Sequence, residues 1–208
     1  KGKEVKESLT GYVKPEHRML LRQFIEEYEL LLRQSKELEE QMMAICEEYH
    51  AKELELLKTL PGVDNQAAMQ IIAETGADMS AFESSNKITK WAGLCPRNDE
   101  SAGKIKSKST TKGNKNLRRI MVQAAWAARG TKNSHFQVKY QQLVIRKGQK
   151  KALIAIARKM LSVIWNMLHT GERYDTSKQP VMSKEVLELK RKYHARELEK
   201  LDKFVTTT

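Results

Sequence analysis

PEHRMLLRQFIEEYELLLRQSKELEEQMMAICEEYHAKELELLKTL, residues 15–60, decides the fold class of this 208-residue chain. Its apolar positions run Leu21, Phe24, Tyr28, Leu31, Leu38, Met42, Ile45 and Tyr49, with polar Ser35 filling the remaining step. The spacing alternates three and four throughout, which is the seam of a heptad helix with Glu and Lys on its outer faces. Pro15 suits a first helical turn, and Pro61-Gly62 closes the run, so one helix is predicted over about 15–60. Such a helix could fold as an amphipathic element onto its own domain or join an intermolecular coiled coil. Its length favours the second, because about 45 residues at ~1.5 Å each reach well beyond a small globule.

Outward from it, LLKTLPGVDNQAAMQIIAETG, residues 56–76, reads helix, tight turn, helix, with Asp64 as N-cap of the second. This is similar to a helix-hairpin-helix, whose hairpin N–H groups hold a phosphate. Asp64, however, stands where that motif usually has a second glycine, and a carboxylate there repels phosphate. A packing hairpin without nucleic-acid contact is the other reading. A short helix with Ile88, Trp91 and Leu94 follows. Further helices are predicted from Gly113-Asn114 to near Gly130, from about 133 to 146, and from Lys150 to Leu168, the last a central core helix ended by Gly171. The Met and Trp residues of these stripes read as core. After a polar linker from Asp175 to Pro180, a charged helix is expected over about 183–204, capped by Ser183. The fold class is therefore all-α: a long coiled-coil helix (1–60), a compact helical domain with the hairpin motif (61–175), then linker and C-terminal helix (176–208).

The net charge of +12 is uneven: −3 over 1–60, +12 over 61–175 and +3 over 176–208. An acidic polymer is the partner this implies. The excess concentrates in PRNDESAGKIKSKSTTKGNKNLRR, residues 96–119. Eight Lys or Arg (Arg97, Lys104, Lys106, Lys108, Lys112, Lys115, Arg118 and Arg119) meet only Asp99 and Glu100 there. So many cations repel one another unless a polyanion relieves them, although a solvated basic loop is the bland alternative. Asn114 and Arg118, at the start of the following helix, could present its N-terminus to a phosphate. Ser101 sits in this loop beside Ala102-Gly103, where a hydroxyl could meet a phosphodiester. It could equally be a solvated loop serine. The face from Arg146 to Lys159 is a second possible location for nucleic acid.

Other classes find little support. There is no Gly-rich phosphate loop, HExxH, GxSxG or CxxC, and the five histidines are scattered. Cys46 and Cys95 are too few for a disulfide framework and lack metal-ligand spacing, so a reducing cytoplasm fits and no metal site is expected in these residues. The longest apolar run, Ala152 to Ala157, is too short for a membrane span. The chain opens on Lys1 within a polar segment, which reads as a fragment whose N-terminal part is missing.

The motifs LPGVD, AETG, ITKWAGLCPRNDESAGK, TTKGNKNLRRIMVQAAWAA, KKALIAIARKMLSVIWNML and GERYD follow one another from about Leu56 to Asp175. In that order they resemble the C-terminal domain of the DEDD insertion-sequence transposases, the family of the pilin-gene invertase and the bridge-RNA-guided recombinases. The long helix resembles the coiled coil that precedes this domain in the family, paired antiparallel. The resemblance implies a DNA recombinase whose serine attacks a DNA phosphate, and the serine phrase, P-x-x-x-x-S-G-G-K or close to it, places that role on Ser101. Ala102 replaces its first glycine. The resemblance further implies binding of DNA and of a structured guide RNA, dimers or higher oligomers, a cytoplasmic location in a bacterial or archaeal cell, and an N-terminal RuvC-like domain whose four acidic residues hold magnesium. That domain is not seen in this chain, so the fragment alone is expected to bind nucleic acid without recombining it. The alternative is a non-catalytic nucleic-acid-binding and dimerisation module.

Overall fold

The computed structural model describes residues 4, 11, 14–97, 99–101, 104–107, 109–132, 134–175, 188, 191–192, 194–196 and 198–199, with the backbone alone over 99–101 and 104–107. Apart from one β-hairpin, the described elements are all helical. They run α1 (Pro15–Tyr49), α2 (Ala51–Lys58), α3 (Asn65–Thr75), a 3-10 turn (Met79–Ala81), α4 (Ser85–Trp91), β1 (Asp99–Ser101), β2 (Lys104–Ser107), α5 (Lys115–Ala128), α6 (His135–Lys147) and α7 (Gln149–Thr170). Two compact units divide the chain, 1–45 and 46–208. Among the described residues no helix is long and apolar enough to cross a membrane.

Helix α1 begins at Pro15, where the sequence placed it, and every residue from 15 to 42 is exposed. Its heptad stripe is uncovered: Phe24 is 62% exposed, Leu31 57% and Leu38 60%. The helix ends at Tyr49 rather than continuing to Leu60, because His50 leaves helical geometry at φ −136° and ψ 30°. The break is one residue wide: the His50 N–H still donates to the Cys46 carbonyl at 2.8 Å, and the Leu54 N–H to the His50 carbonyl at 2.9 Å. Leu54, Leu57 and Leu60 beyond it are buried, so the compact unit starts at Cys46 and not at 61.

That unit is organised around α7, whose Ile156, Ala157, Met160, Leu161 and Ile164 are wholly buried. Helices α2, α4, α5 and α6 pack against it. Side-chain caps fix where the helices start, as the sequence leads one to expect of Asp, Asn and Ser. Asp64 Oδ1 accepts from the Ala67 N–H at 2.8 Å, and Ser134 Oγ from the Gln137 N–H at 3.1 Å. Gly171 ends α7 in the left-handed conformation.

The Pro61-Gly62 hairpin packs. Gly62 has φ +86°, and a Cβ there would lie 2.4 Å from the Ala124 carbonyl oxygen and 2.6 Å from the Ala128 nitrogen of α5. The Val63 N–H is spent on the Leu60 carbonyl at 3.1 Å. Asp64 caps α3, and the hairpin packs against α5.

Methionines 121, 160 and 167 are core, as read, but the tryptophans are not. Trp126 is 52% exposed, with the Arg129 guanidinium 3.4 Å above its ring. Trp91 is 40% exposed against Phe82, and half-buried Trp165 donates through Nε1 to the Phe82 carbonyl at 3.1 Å. An indole N–H costs free energy if buried unpaired, so the edge of a core is the easier place for it. The residues described beyond 187 are helical and exposed, while Ser183 and Phe204 lie outside the described residues.

Candidate nucleic-acid interface

The stretch that reads as a basic loop carries an antiparallel ladder. Glu100 pairs with Ile105 and Ser101 with Lys104, and the register shifts between Asp99 and Glu100, where Asp99 faces Ser107. One more residue therefore sits on β2 than on β1, a β-bulge that re-aims a strand locally. Alternation of Ile105 with lysines is the strand signal here. Ser101 is the last residue of β1. Ala102, Gly103 and Lys108 lie outside the described residues, as do the side chains of Ser101, Lys104 and Lys106.

Below the ladder the chain is stitched to the core. Pro96 bridges Thr110, the Arg97 N–H donates to the Ser109 carbonyl at 2.9 Å, and the Thr111 N–H to the Cys95 carbonyl at 2.9 Å. Gly93 and Gly113 meet here, backbone to backbone. Gly93 has φ +70°, and a Cβ on Gly113 would fall 2.2 Å from the Trp91 carbonyl oxygen and 2.5 Å from the Gly93 nitrogen. Only glycine at both positions allows that approach. Next to it, Asn114 caps α5, accepting from the Leu117 N–H at 3.0 Å and donating through Nδ2 to Glu74 at 2.6 Å. One N–H of the first turn of α5 is thus satisfied by its own cap.

Beside the hairpin base opens a groove of about 520 Å³. Its rim carries five cations, Arg118 from α5, Lys147 from the end of α6, and Lys150, Lys151 and Arg158 from α7. Its floor is apolar, made of Leu94, Pro96, Ile154 and Ala155, with Ser109 and Thr110 on the hairpin side. Among the described residues no carboxylate lines it. Arg158 donates to Asn86 Oδ1 at 3.5 Å, and no ion pair joins any of the five to a described acid. Clustered cations without acids make a local potential that attracts phosphate.

The groove sorts the residues singled out from sequence. Arg118 lines it; its neighbour Arg119 lines a separate cleft of about 360 Å³ with Asp64, Gln66 and Gln123. Lys112 and Lys115 are exposed at the start of α5, Arg97 is exposed at the hairpin base, and Asn114 is tied to Glu74. The cations from 147 to 158 lie on the face that the sequence offered only as a second location. Lys150, Lys151, Ile154 and Arg158 share one side of a helix at three- and four-residue spacing, opposite buried Ile156 and Met160, and that periodicity is the signal that finds them. Among the described residues no three His, Cys, Asp or Glu side chains gather as a metal site.

Comparison with known proteins agrees with the order of motifs. Residues 54–141 match the family described as "Transposase IS116/IS110/IS902 family". A putative transposase y4pF/y4sB of Sinorhizobium fredii is 30% identical over 155 residues, covering 72% of this chain and 39% of that protein. The transposase for insertion sequence element IS1111A of Coxiella burnetii is 28% identical, covering 65% of the chain and 38% of itself. The pilin gene-inverting protein of Moraxella bovis is 29% identical, covering 58% and 38%. The chain thus spans about two fifths of the length of these relatives.

Proposed function

Starting from a chain whose residues 54–141 carry the IS116/IS110/IS902 transposase domain, we propose that it is the serine-bearing part of a DNA recombinase. The observation that carries this reading is the basic groove, lined by five cations and by no described acid, at the foot of the hairpin that ends β1 on Ser101. Ser101 lies five residue steps from Pro96 of the groove, at most about 17 Å of extended strand. A DNA strand held by its phosphates on the rim would bring a neighbouring phosphodiester within reach of the hairpin.

The step is a displacement at phosphorus. Ser101 Oγ gives up its proton and forms a bond to phosphorus, the bond from phosphorus to one deoxyribose oxygen breaks, and that oxygen leaves as a hydroxyl, so that one proton passes in net from the serine to the DNA. A phosphoserine link holds the other end. Attack by a DNA hydroxyl on the same phosphorus reverses the step and releases Ser101. Lys104, Lys106, Lys108, Lys112 and Arg97 supply positive charge where the phosphorus oxygens gain negative charge. Magnesium, with the acidic residues to hold it, belongs on this reading to a part of the recombinase other than these residues. A structured guide RNA would be drawn to the same phosphate-binding surface.

The uncovered stripe of α1 supports a second element of the proposal, self-association through a coiled coil. Groove and stripe alone would also suffice for a non-catalytic binding and dimerisation module. The two readings part in a single assay. With this chain joined to the N-terminal portion of a pilin gene-inverting relative, wild type should give a protein–DNA adduct that survives denaturation, and Ser101→Ala should give none. An equal adduct yield in Ser101→Ala would remove Ser101 from the chemistry.

A further inference from the structure

The groove has two chemistries, and phosphate binding explains only one. Cations on a rim suffice for an intact duplex, which presents phosphates outward and keeps the faces of its bases stacked and hidden. An apolar floor gains nothing from such a ligand. Pro96, Ile154 and Ala155 nevertheless line the groove together with the cations, with Leu94 almost wholly buried. Uncovered apolar surface inside a charged pocket is matched by a ligand that is anionic at its edge and flat and apolar at its centre. An unpaired nucleotide is such a ligand.

Proteins that hold single strands combine a cationic track with surfaces on which bases lie, and proteins that open duplexes insert Ile, Leu, Pro or Met between base steps. The floor here is built from those aliphatic types. At about 520 Å³ the groove falls within the size range of small-ligand sites and is too confined for a duplex about 20 Å across. The first turn of α7 adds two cations, Lys150 and Lys151, and its N-cap Gly148 supplies no capping side chain. The groove also adjoins Ser109 and Thr110, where the hairpin leaves the core.

We infer that this groove holds an unpaired nucleotide of the DNA strand, its base on the Ile154–Ala155 floor and its phosphates on Lys150, Lys151 and Arg158, so that the chain selects locally opened DNA over paired DNA. The inference rests on the reading of the chain as a DNA-binding part of a recombinase and adds the state of the DNA that it accepts.

The test is fluorescence-anisotropy binding of the 208-residue chain at about 150 mM salt to three probes of one sequence: a fully paired duplex, the same duplex with four unpaired bases at its centre, and single-stranded RNA. The opened duplex should bind about fivefold tighter than the paired one, the gain from covering roughly 40 Å² of apolar groove surface. Ile154→Ser should reduce that preference below twofold. Ile154→Phe, a broader platform, should raise the preference above wild type, so the outcome does not hang on one variant. Lys150→Ala with Lys151→Ala should weaken both DNA probes. Equal affinity for paired and opened DNA, or a preference untouched by both Ile154 variants, would overturn the inference. Binding the RNA tenfold tighter than opened DNA would overturn the assignment to a DNA strand. Because binding is read without adduct formation, a missing Ser101-dependent adduct would sink the nucleophile reading and leave this one standing.

Discussion

Gly113→Ala is the sharpest test of how the hairpin is held. The new Cβ would stand 2.2 Å from the Trp91 carbonyl oxygen, 2.5 Å from the Gly93 nitrogen and 3.0 Å from the Ala92 carbonyl carbon, all backbone atoms. Ordinary contact is about 3.4 Å, so the two segments must part by roughly 1 Å, and no side chain can swing away instead. Overpacking of this kind costs about 1–3 kcal/mol. The parting also stretches the bond from the Asn114 N–H to the Trp91 carbonyl, now 2.9 Å, which is worth about 1 kcal/mol more. A total of about 2–4 kcal/mol lowers the melting temperature by roughly 4–16 °C in a chain of this size. Gly76→Ala is the control: φ is +72° but nothing lies within 4 Å, so only the left-handed strain of about 1–2 kcal/mol applies. In the adduct assay, a misplacement of about 1 Å should cut the rate of Gly113→Ala by on the order of 100-fold, and Gly76→Ala should stay near wild type. If Gly113→Ala melts no lower than Gly76→Ala and forms adduct at the wild-type rate, the glycine contact does not position the hairpin.

Light scattering should find self-association of the chain at tens of micromolar. Leu31→Asp with Leu38→Asp should abolish it, and a strict monomer in the unaltered chain would end the coiled-coil proposal. Replacing Lys106, Lys108, Lys112 and Lys115 with alanine should lower the slope of log affinity against log salt on duplex DNA by up to about four and leave the melting curve in place; an unchanged slope would assign phosphate binding to the groove alone. His135 has its pKa lowered by burial first, then by Lys159 and Lys139, and its Nδ1 is buried without a partner. The unfolded state then takes up the proton more readily, so stability should fall as pH drops from about 7 through the ordinary histidine range. His135→Phe should flatten that part of the urea-midpoint profile, and an unaltered profile would exclude His135 as its source.

Much of the helical framework is legible because it is written locally. Pro15, Asp64, Asn114 and Gly171 each mark a boundary by their own side chain or backbone, and the apolar spacing of 150–168 marks the buried helix. The break at His50 has no Pro or Gly to announce it; it follows from the burial of Leu54 and Leu57, a tertiary demand. The hairpin is obscured because lysines and serines occupy β2, and its pairing with β1 is what makes it a strand. The groove is least legible of all. Leu94, Thr110, Arg118, Lys147 and Ile154 come from five segments, and sequence alone cannot say that these converge while Arg119 turns to another cleft.

The central position of α7 bears on how the protein is made. Helices α2, α4 and α5 and the hairpin all leave the ribosome before the helix on which α2, α4 and α5 pack, so α2 and α5 can meet α3 early but the faces turned to α7 stay uncovered until residues to about 168 have emerged. A nascent chain arrested before that point would carry Ser101 and the lysines of its loop but neither the Ile154 floor nor the Lys150–Lys151 rim beside them. Synthesis order thereby delays assembly of the proposed DNA-handling surface until the core is complete, and a premature stop within α7 would yield a polypeptide that carries the serine without the groove.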